Sequence, residues 1–271
     1  MDPLILFSIL LSVVLGILRG ADLAWGTDPV TGLCVVGSVW WRYLLLAAVV
    51  LAAVLAGRSR GKDPAALCTR KPGGAAAAFA AAVCFLAAAA VRLLFPAGFA
   101  DLVRIPLGVL CACWLSALGS RWLTAKEWKA PVGGILLAVA GSVLFYWNLL
   151  MRFMENSSSW HRVTQTAMVW QMLAALLLLS ALARALYLPK PENGSTLCAA
   201  GLAAFGLCLC WELPRAVQLA LAVTADGTLL PELLSALGLC AVGALGGICA
   251  AGCAKPRACP PSRWHSLGII A

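Results

Sequence analysis

Eight stretches of roughly 15 to 25 mostly apolar residues run through the 271-residue chain, separated by short charged connectors. A helix needs about 20 apolar residues to cross a hydrocarbon layer about 30 Å thick, so this pattern makes a bilayer the solvent. Composition agrees: 62% of residues are hydrophobic and only 11% charged, where a soluble domain carries roughly 25%. Mean hydropathy is +0.93. Lipid offers the backbone no hydrogen bonds, which leaves helices or a closed barrel. Uninterrupted apolar runs such as Gly133 to Leu144 lack the alternation of a barrel strand. The expected fold class is therefore an all-α polytopic membrane protein, a bundle of about eight transmembrane helices. It occupies residues 1–254, with 255–271 a short basic cytoplasmic tail.

The expected spans are Leu4 to Leu18, Tyr43 to Ala56, Gly74 to Phe95, Ile105 to Ser120, Val132 to Met151, Gln165 to Leu186, Thr196 to Val223 and Leu229 to Gly252. Connector charge orients them, because cytoplasmic loops collect Lys and Arg. With the N-terminus inside, inner segments hold 13 of the 20 basic residues, and only Arg19, Arg42, Arg92, Arg104, Arg152, Arg162 and Arg215 lie outside. Both termini are then cytoplasmic. The formal charge of +9 is dispersed over connectors, so it reads as a topology signal, with membrane lipids as partners and no nucleic acid. Met1-Asp2-Pro3 carries no basic residue and no A-x-A site follows, so the first span is expected to stay as an anchor. Short loops without an organellar targeting signal point to a bacterial inner membrane. Most of the 12 cysteines, Cys84, Cys111 and Cys208 among them, sit in apolar spans, where cysteine behaves as a small hydrophobe.

Charge on the two sides differs in kind. Outside, seven acidic residues balance the seven arginines, and Arg19/Asp22, Asp101/Arg104, Arg152/Glu155 and Glu212/Arg215 are each three apart. In a helix such partners share a face, which allows a ring of ion pairs at the outer mouth. Tryptophans 25, 40, 41, 147, 160, 170 and 211 also fall toward that side. An interfacial belt accounts for them; an aromatic pocket for a cation or flat ligand is the sharper alternative.

Ligand-binding candidates cluster there. Glu212, with Trp211, Arg215 and Gln218, surrounds Pro214 in an apolar stretch of about 28 residues, longer than one upright span needs. Pro214 predicts a kink or helix end, and an intramembrane carboxylate is by default a functional-site hypothesis. A Glu–Arg pair that merely staples a kink is the structural alternative. The second group is Arg92 and Asp101 in the segment Arg92 to Pro106, whose two prolines and glycine predict a turn between spans; a lip facing an anionic substrate or headgroup is the functional version. The third is Arg152 near Asn148, Trp160 and His161. His161 is one of two histidines, a residue type suited to proton relay, but no carboxylate stands at a fixed helical spacing to orient it. Gln165 and Gln171 are expected to bond neighbouring helices.

No cofactor is expected and no metal site is assigned. Cys249, Cys253, Cys259 and His265 form a weak Cys3His possibility, but their gaps match no recognised zinc spacing. Gly243-x3-Gly247 and the alanine run Ala75 to Ala90 predict close helix approach. Asn156-Ser157-Ser158 and Asn193-Gly194-Ser195 match glycosylation sequons, the second on the inner side. No P-loop, G-x-S-x-G or H-E-x-x-H occurs. The reading that results is a transporter or permease-like, ligand-binding subunit with a polar outward-facing site. A non-catalytic assembly or sensor component with a membrane-protein partner is the alternative. A lipid-modifying enzyme comes third, lacking a convincingly spaced nucleophile or His–carboxylate pair.

Overall fold

The computed structural model describes residues 2–28, 33–59, 64–96, 98–124, 132–155, 161–188, 190, 193–224 and 227–253. Eight long helices cross the molecule: α1 (Pro3–Trp25), α2 (Val39–Arg58), α3 (Pro72–Leu94), α4 (Phe99–Thr124), α5 (Gly134–Glu155), α6 (Val163–Tyr187), α7 (Asn193–Val223) and α8 (Leu230–Cys253). All eight are long and apolar enough to span a membrane. The chain is thus an all-helical, multi-pass integral membrane protein. Short 3-10 turns at Pro64–Leu67 and Gly227–Leu229 complete the described helical structure.

Local chemistry sets several starts. Asp2 accepts the Leu4 N–H at 3.1 Å with Pro3 at the first helical position, and Ser38 accepts the Trp40 N–H at 3.3 Å; both satisfy donors a helix cannot pair internally. The helices extend past their apolar cores. α1 continues to Trp25 and so carries Arg19 and Asp22 as helical residues. α4 starts at Phe99, so Asp101, Arg104 and Pro106 lie inside a helix rather than in the expected turn. The connection between α3 and α4 is only Phe95 to Gly98. Side-chain pairing explains the extension: an i,i+3 ion pair satisfies charge while the backbone stays helical.

α7 is the most buried of the eight and touches α1, α2, α6 and α8. α3 lies between α4 and α8, its small residues Ala75, Ala78, Ala81 and Ala82 buried against them. Large apolar residues such as Phe7, Ile17, Leu44, Leu51, Val83 and Leu136 are exposed, as a lipid-facing surface requires. Asp2 accepts from Ser59 at 2.6 Å, and the Lys71 N–H reaches the Trp122 carbonyl at 3.1 Å. These contacts pair the start of α1 with the end of α2, and the start of α3 with the end of α4. At the opposite end lie Trp25 and Trp40, both exposed as belt residues would be.

Pro214 has a consequence other than a helix end. The helix runs on to Val223, and the preceding residues Phe205–Trp211 widen into π-helical turns. Pro214 lacks an N–H and its ring opposes the Cys210 carbonyl; the widened turn absorbs that conflict without breaking the span. Glycines on both sides clamp it. A Cβ on Gly16 would lie 2.7 Å from the Cys210 oxygen, and one on Gly243 would lie 2.5 Å from the Leu209 nitrogen. Gly247 faces the Phe205 ring. The Gly243-x3-Gly247 face is therefore buried against α7 of the same chain. Gly243→Ala should lower stability by at least about 1–3 kcal/mol, the usual range for overpacking, because its neighbour is backbone and cannot rotate away. Thermal unfolding of the purified protein measures this; an unchanged midpoint would mean that α7 and α8 separate easily.

Candidate functional site

Two charged clusters occupy the end opposite the start of α1. The first is buried between α1 and α2. Arg19 Nη1 donates to Asp22 Oδ2 at 2.8 Å, and Arg42 Nε donates to Asp22 Oδ1 at 2.9 Å, with Arg42 Nη2 also bonded to that oxygen. Arg19 Nη2 reaches Thr164 Oγ1 at 2.8 Å, which ties in α6. Arg42 also donates to the Ser38 and Val36 carbonyls at 3.2 and 3.0 Å and touches the Cys34 sulfur. The Arg19 guanidinium stacks 4.6 Å from the Trp211 ring. Asp22 and both arginines are buried. Ion pairing, hydrogen bonds and cation–π contact together offset most of the cost of burying these charges, with Arg19 Nε left without a hydrogen-bond partner among the described residues. The arrangement fastens four helices. Trp211 belongs to it, and the cation over its ring is the protein's own.

The second cluster surrounds a cavity of about 100 Å³. Glu212, 2% exposed on α7, accepts from Arg215 Nη1 at 2.7 Å through Oε1 and from Gln171 Nε2 at 2.9 Å through Oε2. The same Gln171 nitrogen donates to the Leu207 carbonyl in the π segment at 3.0 Å. Arg215 also approaches Glu232 Oε2 of α8 at 3.4 Å. Across the cavity, Asp101 Oδ1 lies 3.0 Å from Arg104 Nη1 and 3.5 Å from Arg92 Nε. Arg104 Nε donates to Asn148 Oδ1 at 3.1 Å, and Arg92 Nη2 to Ser235 Oγ at 2.9 Å. Met168, Met172 and Leu239 add an apolar part of the wall. A smaller cavity of about 30 Å³ adjoins it, sharing Arg92, Asn148 and Met172 and reaching Phe85 and Phe145.

The expected candidates separate accordingly. Glu212, Arg215, Arg92 and Arg152 line the cavity, while Asp101 bridges two of its arginines. Gln218 does not take part: its Nε2 donates to the Leu23 carbonyl of α1 at 3.3 Å. His161 is exposed, its carbonyl accepting from the Cys34 N–H at 3.3 Å. Three of the four expected i,i+3 ion pairs close, at 2.8, 3.0 and 2.7 Å. The fourth depends on the Glu155 side chain, which lies outside the described residues, as do Trp160, Cys259 and His265. Among the described residues no group of three or more side chains could hold a metal ion.

Sequence reading did not place Gln171, Glu232 or Ser235 on this wall, and it named Arg104 and Asn148 only as the partner of Asp101 and a neighbour of Arg152. Glu232 and Ser235 are three apart on α8, a spacing that carried a signal. Asn148 and Gln171 are single polar residues in apolar spans, where sequence cannot distinguish a wall residue from a helix–helix bond. Gln171 proves to be both. No family model matches this chain, and neither a curated protein nor a solved structure does.

Proposed function

We propose that this chain is a permease-like or ligand-binding membrane subunit and that the cavity beside Glu212 is its substrate site. One observation carries the reading: six helices, α3 to α8, each place at least one polar side chain on a single cavity. Charges that serve only as anchors would snorkel separately to the interface; polar groups held at membrane depth usually mark a ligand or ion path. The π turns beside Glu212 favour the same reading, since substrate sites in transporters are built at irregular helix segments. By the bias of Lys and Arg among the connectors, the cavity faces away from the cytoplasm of a bacterial inner membrane.

Native mass spectrometry of wild type and Glu212→Gln, released from membrane-like particles, tests this. A small polar ligand retained by wild type and lost from the variant is the expected result. If both release only bulk lipid, or both carry the same protein partner, the substrate-site reading fails and an assembly component takes its place.

A further inference from the structure

Resting on the reading of this cavity as a ligand site, we infer that its ligand is an anion. The structure assigns it a carboxylate- or phosphate-type group that also carries an N–H or O–H donor. The group docks on Arg92 and Arg104, and the donor meets Gln171 Oε1.

Charge on the wall is unevenly spread. Among the described residues four guanidiniums, Arg92, Arg104, Arg152 and Arg215, line the cavity with two carboxylates. Both carboxylates turn toward Arg215, Glu212 at 2.7 Å and Glu232 at 3.4 Å. On the α3–α4 side one carboxylate oxygen, Asp101 Oδ1, serves both Arg92 and Arg104, and its contact to Arg92 is stretched to 3.5 Å. Arg92 Nη2 is engaged by Ser235 and by the Pro231 carbonyl, which leaves Nη1 without a partner among the described residues. A guanidinium fork matches carboxylate and phosphate oxygens in geometry as well as charge. A cationic ligand would meet repulsion on that side at short range and low dielectric.

Gln171 defines the ligand further. Its Nε2 faces two acceptors, the Leu207 carbonyl and Glu212 Oε2, so the amide cannot be flipped without setting oxygen against oxygen. Oε1 is thereby fixed as an acceptor, and it is buried with no hydrogen-bond partner among the described residues. Leaving a buried acceptor unpaired costs about 1–3 kcal/mol, so it calls for a donor. A protonated phosphate, a hydroxy acid or an amino acid supplies donor and anion together. Size limits the choice. About 100 Å³ is room for several waters or one small group, since a single water needs only about 10–15 Å³ by this measure. Toward the molecule's middle, Phe85 and Phe145 meet edge to face, 5.6 Å between centroids. Phe85 precedes Arg92 by seven residues on α3, which places it about 10 Å deeper.

The test uses the full chain in detergent, titrated with sodium phosphate or sodium lactate at matched ionic strength against sodium chloride. It also uses phosphatidylcholine nanodiscs doped with phosphatidylglycerol, for native mass spectrometry. For wild type, either soluble anion should raise the unfolding midpoint, or phosphatidylglycerol should be retained over phosphatidylcholine. The first result makes the ligand a free solute; the second makes it a lipid headgroup. Arg92→Gln should weaken that response about tenfold or more, the effect of one lost charge-assisted hydrogen bond. Arg58→Gln, at the other end, should leave it intact. If Arg92→Gln is not recovered folded, Arg104→Gln repeats the test with Arg92 left to hold Asp101. Wild type indifferent to both probes, or equal responses in wild type and the arginine variant, overturns the anion assignment. A neutral or cationic ligand lost on Glu212→Gln, with no anion response, would sink the anion while keeping the ligand site.

Discussion

Replacing Asp22 with alanine should destabilise the bundle by about 3–5 kcal/mol, the range for removing one partner from a buried ion pair. The upper part of that range applies. Asp22 is the shared acceptor of two guanidiniums, Arg19 and Arg42, and all three side chains are at most 2% exposed. Without Asp22, Arg19 keeps Thr164 and the Trp211 face, and Arg42 keeps backbone carbonyls. Neither retains a carboxylate in its own cluster. Water can relieve this only by entering between α1 and α2, which undoes their packing. Denaturant titration of the folded protein measures the loss. Combining Asp22→Ala with Arg19→Met should cost less than the sum of the two single changes, because the second removes a charge the first left unpaired. A loss below about 1 kcal/mol for Asp22→Ala would place the triad in the class of hydrated, weakly coupled pairs.

Glu212→Gln should behave differently: a large effect on ligand retention beside a smaller one on stability. The amide presents one acceptor where the carboxylate presents two, so either Arg215 or Gln171 loses its bond. Both have a reserve. Arg215 still has Glu232 nearby and is partly exposed, and Gln171 still donates to the Leu207 carbonyl. The expected destabilisation is about 1–3 kcal/mol, the cost of one poorly satisfied buried group. Site geometry suffers more. Glu212 fixes Gln171 on one side and Arg215 on the other, so losing it frees two wall residues at once. Retention of the bound small molecule should fall to the level of bulk lipid while the unfolding transition stays cooperative. Equal losses of stability and retention would reduce Glu212 to a staple for the kinked helix.

The two pairs show how far a linear reading reaches. Arg19/Asp22 and Glu212/Arg215 are alike in sequence: opposite charges three apart near the same end of a long apolar stretch. That spacing predicts that each pair closes, and each does, at 2.8 and 2.7 Å. It does not predict their different surroundings. Arg42 arrives from α2 to seal one pair into the core, whereas Gln171 from α6 leaves the other at a cavity wall. The same limit applied at Pro214, which favours a kink locally. The π turns that precede it lie where Gly16 and Gly243 let α1 and α8 close on the backbone of α7.

What the chain announces unaided is its solvent and its helix count. Apolar transfer energy adds up residue by residue along a window, so eight spans are visible without any long-range contact. Helix periodicity likewise settles which neighbours in sequence pair. Tertiary packing alone decided which arginines are sealed in and which line a cavity. That depends on side chains brought together from separate helices, as Arg92 and Ser235 are across 143 positions, and at such separations neither hydropathy nor periodicity carries any record of who meets whom.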